Sequence, residues 1–568
     1  MSKTRLVLRQ RSGAPSTLGI ESTAPTLSRW HIAQFAQLAH IRVLWVPSTQ
    51  STGLTRARVI WGIAGLFAVG HAAVFAWLSP LALQDLPNHL ARARVLADIL
   101  FERGTRFGDL FELHLLPVPY VLGDLILATA THLLGVTGAA VFWSVSSFAS
   151  LPCALWYYLG ATRLRPDSKA LLVLLSSYLS TDWFFLVGFI EFRLGVALTL
   201  VVLGLAERFR TKPTAAWLLV YTVALSAGYL THLTTLVFVS ALAGTTSLLR
   251  LVRRTSRVPV ELALLLPCAA LLLWHFGFTG AYRHPDDLVE NPYIWGTVAG
   301  KLARVIAEFQ RYNPRPDLLM WVIFATTVTC YVGRLRWRDL RTSAGFEFLV
   351  MASAMLAVYC ILPAGYSEAY YVDVRALPFL SLYVLLTFLG TTPREDGKPA
   401  GRQTLALILA VTLVAGNMVY LAAHMHRQKQ WLDQYRSVIS KIPRGAYVLP
   451  VYTHAPEGEV VPFLHAFAFA AIDRDAVVPY LQTGDTGNPQ KYLRYRHRPD
   501  APDQLWYGNL PPSPVEWRRV ACEYRFLLVT KPFDPARLAL TTSLVAENNS
   551  ASLLAISKPA FCGPHGVN

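Results

Sequence analysis

Charge is scarce in this sequence. Asp, Glu, Lys and Arg make up 15% of its 568 residues, against about 25% in a soluble domain. That excludes an ordinary water-soluble chain. Apolar residues take the missing share at 53%, with a mean hydropathy of +0.37 and windows uninterrupted enough to span a bilayer, such as Trp217–Val239 and Leu262–Phe278. Cysteine is scarce too. The six residues show no CxxC and no Cys/His metal spacing, which removes the common cysteine-based metal sites. Cys153, Cys268, Cys330 and Cys360 fall in apolar stretches and read as small core residues. No internal repeat, low-complexity tract or cleavable signal peptide is found.

The charge that is present is mostly positive, with a net of +17. Nucleic acid is rejected as its partner, because the basic residues sit in short loops between apolar segments, where they orient helices. Membrane segments are expected near 59–78, 139–160, 170–188, 193–206, 215–231, 234–249, 259–279, 318–333, 346–363, 376–391 and 403–423. The stretch 117–134 carries Pro117, Pro119, Gly123 and Asp124 and reads as a juxtamembrane or re-entrant helix. With that choice, alternate loops on one side total 42 residues with 17 Lys or Arg, and those opposite total 107 with 11. The fourfold difference in density sets the N-terminus inside and the C-terminus outside.

These observations predict an all-α polytopic membrane domain of about eleven transmembrane helices, with a small C-terminal periplasmic α/β domain. Three regions are expected: a disordered cytoplasmic tail over 1–55, with a short amphipathic helix at His31–Val46; a membrane domain over 56–425, whose outer loop 79–138 bears juxtamembrane helices; and a periplasmic domain over 426–568. In the last, strand-like runs Tyr447–Tyr452 and Phe526–Thr530 flank a helix-like run Phe463–Ile472. Cys522 and Cys562 lie there and could pair if that side is oxidising. A bacterial inner membrane is the expected location.

Ionisable residues gather on the outer side, where their cost marks functional candidates. The first outer loop carries Gln84-Asp85-Leu86-Pro87-Asn88-His89-Leu90-Ala91-Arg92. Pro87 suggests a helix start, with Asp85 near its cap and His89 and Arg92 on successive turns. Asp85 is the catalytic candidate; the plainer reading is that it only caps the helix. Arg375 suits a phosphate, or pairs with Asp373 or Glu368, or snorkels to headgroups. His232, alone between apolar spans, is either a ligand-facing group or a packing residue. Asp182, Glu191, Arg283 and Asp373 complete the substrate-binding candidates. Glu191 and Arg193 are expected to form an ion pair across a tight turn.

One span, an acidic motif at its outer end, a loop with juxtamembrane helices, many further spans and a terminal outer domain resemble the GT-C class of membrane glycosyltransferases. That class includes protein O-mannosyltransferases and lipid A aminoarabinose transferases. The resemblance runs over about 56–425. It rests on Asp85-Leu86-Pro87-Asn88-His89, on Val118-Pro119-Tyr120-Val121-Leu122 and on Asp373-Val374-Arg375-Ala376-Leu377-Pro378-Phe379. It implies transfer of a hexosyl or pentosyl group from a polyprenyl-phosphate-linked sugar to a lipid, glycan or protein acceptor. Asp85 would be the base and Arg375 the phosphate ligand, with His232 or Arg283 as alternatives. Many members carry Asp-Glu or Asp-x-Asp where this chain has Asp85-Leu86. No metal ligand is assigned, and a divalent cation such as Mg or Mn is left open as cofactor. The alternatives are a transporter, a non-catalytic envelope-assembly scaffold with a GT-C-like body, and a transferase of another lipid-linked group.

Overall fold

A computed structural model describes residues 52–102, 106–278, 293–307, 311–332, 345–366, 369–391, 400–453, 460–483, 492–502, 513–533 and 540–557, with Leu340, Leu538 and Cys562. The tail over 1–51, the helix expected at His31–Val46, Arg283 and Glu368 lie outside the described residues.

The apolar runs fold as helices: α1 (Thr52–Leu78), α2 (Leu86–Ala97), α3 (Arg106–Leu110), α4 (Val121–Gly160), α5 (Pro166–Leu179), α6 (Trp183–Val187), α7 (Ile190–Thr211), α8 (Ala215–Thr231), α9 (Leu233–Val252) and α10 (Val258–Phe278). After them come α11 (Val298–Ala307), α12 (Pro314–Val332), α13 (Gly345–Ile361), α14 (Leu377–Gly390) and α15 (Ala400–Ile439). Among the described residues, six helices are long and apolar enough to cross a bilayer, and three shorter apolar helices accompany them. The protein is a multi-pass membrane protein.

Two expectations are corrected in detail. The segment expected over 170–188 is not one helix: α5 ends at Leu179, and Asp182 caps a separate turn, α6, by accepting a hydrogen bond from Phe185 N at 3.0 Å. The segment 117–134 joins the following span as one element, α4, but Gly135 (φ 70°, ψ 169°) breaks the helix between them.

α15 passes through residue 425 without interruption and reaches the C-terminal sheet. Short strands β2 (Tyr293–Ile294), β3 (Gly365–Tyr366) and β4 (Ala369–Tyr370) form a small sheet of their own, and the C-terminal sheet has the order β5-β7-β9-β8, from Val448–Val451, Phe526–Thr530, Ala551–Ile556 and Thr542–Glu547. β5 and β7 are parallel and the other pairs antiparallel. Every residue of β7 is buried, as suits a central strand. Cys522 and Cys562 form a disulfide with Cα atoms 5.3 Å apart.

The segment between α1 and α4 packs with this C-terminal region. Its strand β1 (Phe111–Leu113) pairs antiparallel with β6 (Leu493–Tyr495). Ala91, Val95, Phe107, Phe111 and Val121 share one core with Tyr435, Phe463, Phe467 and Tyr492. One apolar face of α2, with α3, therefore buries against C-terminal residues, while Leu86 and Leu90 pack with the long helices; this brings sequence-distant polar groups onto Asp85.

Candidate active site

Asp85 stands where α1's chain turns into α2. Pro87 lies in the first turn of α2, where its missing N–H costs nothing. The Asp85 carboxylate makes no cap hydrogen bond, so the capping reading is not what the structure shows. It faces His465, whose Nε2 lies 3.2 Å from Oδ1. Nδ1 of the same ring lies 2.7 Å from Asn88 Nδ2. Asp85, His465 and Asn88 are all buried. Backbone bonds place the loop: Asp85 N donates to Val187 O at 2.9 Å, and Gln84 Oε1 accepts from Val461 N at 3.1 Å. Gly188 (φ 85°) permits this contact, because a Cβ there would lie 2.9 Å from Asp85 N.

One turn along α2 lies a dry ionic cluster. Arg92 is 1% exposed and forks onto Asp124, with Nε to Oδ2 at 2.5 Å and Nη2 to Oδ1 at 2.8 Å. Nη2 also reaches Glu191 Oε1 at 3.3 Å and His89 Nδ1 at 2.9 Å. Tyr492 of the C-terminal domain donates its hydroxyl to Asp124. Gly123 lets α4 approach Glu191, whose Cγ would lie 3.1 Å from a Cβ there. A guanidinium only donates, so His89 Nδ1 accepts and the ring is neutral. Burial, and then the Arg92 charge, push the His89 imidazole down to about 4.

That depressed value has a measurable consequence. Below its ordinary value of 6.5 the unfolded chain takes up a proton at His89 that the folded chain refuses until about pH 4. Stability therefore falls as pH falls through that window. His89→Asn keeps an acceptor for Arg92 and removes the titration. Its melting temperature should drop less than the wild type's between pH 7 and 4.5; equal slopes would remove His89 from the acid response.

Donor atoms of His89, Asp124 and Glu191 lie within 4.8 Å of one another, a set that suits a divalent cation. Arg92 already bonds to all three residues. The residues do not fit a resident metal while Arg92 is in place.

Arg375 marks a second centre. Its Nη1 donates to His232 Nε2 at 3.4 Å, and its guanidinium stacks over Phe189 and Phe192 at 5.5 and 5.9 Å. His232 Nδ1 lies 2.7 Å from Thr234 Oγ1, and burial followed by the Arg375 charge hold its imidazole far below the usual range. The Tyr120 ring meets His232 edge-on at 4.8 Å. Tyr120 has φ 77°, a conformation bulky residues rarely adopt and one that clusters at functional sites.

The structure thus brings Asp85, His89, Arg92 and Glu191 together, with His232 and Arg375 as a neighbouring pair. Asp373 pairs with Arg304 at 3.2 Å and Lys301 at 3.8 Å and caps Val374 N. Asp182 pairs with Arg193 at 2.6 Å, while Glu191 pairs with Arg92; the expected Glu191–Arg193 turn pair is replaced because α7's first turn points the two side chains to opposite sides. His465, Asn88, Asp124, Tyr492 and Tyr120 were not among the expected site residues. Asp124 was legible as a lone carboxylate in an apolar run. His465 and Tyr492 carried no local signal.

No family model matches the sequence, and no curated protein matches it. The crystal structure of ArnT from Cupriavidus metallidurans in the apo state is similar over 89% of this chain and 98% of that one, with TM-score 0.50 at 13% identity. The chain has a GT-C-like fold. AglB from Archaeoglobus fulgidus, in complex with an inhibitory peptide and a dolichol-phosphate, is similar over 85% of this chain and 70% of that one, with TM-score 0.42 at 12% identity. In this GT-C-like fold Asp85 follows the first long helix and the polar centres lie in and around the loops after it.

Proposed function

We propose that this protein is a membrane glycosyltransferase that moves a sugar from a polyprenyl-phosphate donor to an envelope acceptor on the periplasmic face. The reading takes eleven crossings, with the N-terminus inside and residues 426–568 outside, so that the polar loops face that side; the excess of Lys and Arg in the alternate loops supports it. One observation carries the reading. The short turn Val187–Phe192 touches Asp85 through Val187 O, Arg92 through Glu191, and Arg375 through Phe189 and Phe192. A carboxylate and a partly dehydrated guanidinium are therefore built onto one rigid corner.

The chemistry follows from their charges. Asp85 takes the proton of an acceptor hydroxyl as its oxygen attacks the anomeric carbon. The bond from that carbon to the phosphate oxygen breaks, and the electron pair leaves with the lipid phosphate. Arg375, with neutral His232 and Tyr120 beside it, meets the charge that develops there. Lipid, glycan and protein acceptors all offer the hydroxyl required.

The test uses protein in liposomes, a panel of radiolabelled polyprenyl-phosphate sugars and envelope extract as acceptor. Wild type should transfer label from one donor, and Asp85→Asn should transfer it roughly 10²–10⁴-fold more slowly. Folded Asp85→Asn with full activity would sink the proposal. Movement of the intact sugar lipid across the bilayer without transfer would indicate a transporter.

A further inference from the structure

Sequence position made Asp85 a helix cap, yet its carboxylate is turned away from the α2 backbone and toward a ring from the C-terminal domain. His465 starts a short 3-10 turn, Ala466–Ala468, followed by α16 (Phe469–Arg474). Both turns pack on α2. The imidazole is 3% exposed, between the buried Asp85 and the fully enclosed Asn88. Proton placement is determined from both ends. A carboxylate only accepts, so Nε2, 3.2 Å from Oδ1, carries the hydrogen. A neutral ring then accepts at Nδ1, and Asn88 Nδ2 is the donor 2.7 Å away.

We infer that His465 is a positioning residue for the proposed base: Asn88 fixes its tautomer, and its Nε2–H pins one oxygen of Asp85 so that the other faces the acceptor hydroxyl. The inference rests on Asp85 being the base. His465 neither gains nor loses a proton in the step; the acceptor's proton ends on Asp85. A Asp85 held by no cap would otherwise rotate about χ1 and χ2, and base catalysis needs its oxygen within about 3 Å of the proton it removes. Such orienting partners are worth large factors in rate while touching no substrate.

The arrangement also assigns work to the C-terminal domain. Gln84 holds Val461 four residues before His465, and the β1–β6 pair holds the other side of the docked loop. The base is complete only when the two regions are joined. His89, the imidazole carried by α2 itself, is already bonded to Arg92 and does not take this place.

The full chain in liposomes, with the donor that the panel identifies, gives the test. His465→Ala should lower kcat by roughly a hundredfold and change the donor KM by less than about threefold. Imidazole in the buffer should restore part of that kcat by filling the vacated space. His465→Gln, which can present an N–H near the position of Nε2, should lie between. Asn88→Ala should slow wild type but add little to His465→Ala, because the two act as one unit. Wild-type kcat in His465→Ala, with Asp85→Asn inactive, would overturn this inference alone. A loss that neither imidazole nor glutamine relieves would also overturn it, by making His465 a packing residue. Full activity in Asp85→Asn would remove the base itself and the inference with it.

Discussion

Arg92→Met is expected to cost the fold about 3–5 kcal/mol, the usual loss when one partner of a buried ion pair is deleted. The reason lies in what stays behind. Among the described residues, Arg92 contributes the one cationic group that bonds both Asp124 and Glu191. Without it two carboxylates face each other in a site that excludes water, and one must take up a proton or draw water in. Nη1 also donates to Gln482 O at 3.3 Å, and Asp124 holds Tyr492, so the loss spreads to the docking of the C-terminal domain. Arg92→Lys should fall between, because a point charge cannot reproduce a fork that bonds three side chains. Melting in detergent measures the effect, and limited proteolysis shows whether the domain loosens. A melting temperature unchanged in Arg92→Met would mean the cluster carries no stability.

Arg375→Gln should leave the fold nearly intact and raise the donor KM by about 10- to 100-fold, as expected for losing a hydrogen bond to a charged group worth roughly 1.5–3 kcal/mol. The surrounding shell argues for this split. Phe189, Phe192 and Tyr120 shape a low-dielectric face around the guanidinium, and His232 is held neutral there. A phosphate brought to this face meets a strong, weakly screened cation. Arg375→Lys should recover part of the binding but not bidentate geometry. The measurement is donor dependence of initial rate for both variants. A kcat and a KM both unchanged in Arg375→Gln would move the phosphate site to Arg304 or Lys301, the cations that flank Asp373.

Much of the bundle was legible because a bilayer leaves few options. A backbone in hydrocarbon must satisfy its own hydrogen bonds, so apolar runs of the right length become helices. Breaks inside runs were harder to see. Ser180 to Asp182 end a helix only because Asp182 finds Phe185 N and Arg193 to bond, and the apolar residues on both sides hide that stop. The ion pairs show the same limit. Glu191 and Arg193 are two residues apart, and on a helix such neighbours point apart. Their true partners lie at Arg92 and Asp182, and only the packing of α2, α4 and α7 shows which carboxylate meets which guanidinium.

By itself the sequence determined that this is a multi-pass membrane protein, the approximate places of its helices, the biased distribution of its basic loops and one polar motif around Asp85. Those properties follow from composition and from local periodicity, which act over a few residues. The tertiary structure alone decided what surrounds that motif. His465 and Tyr492 come from nearly 380 and 370 residues away along the chain, and no local pattern encodes a meeting at that distance. They arrive because Ala91, Val95, Phe107 and Phe111 bury against C-terminal residues while Leu86, Leu90 and Ala93 pack with the long helices, and that burial carries the polar groups with it.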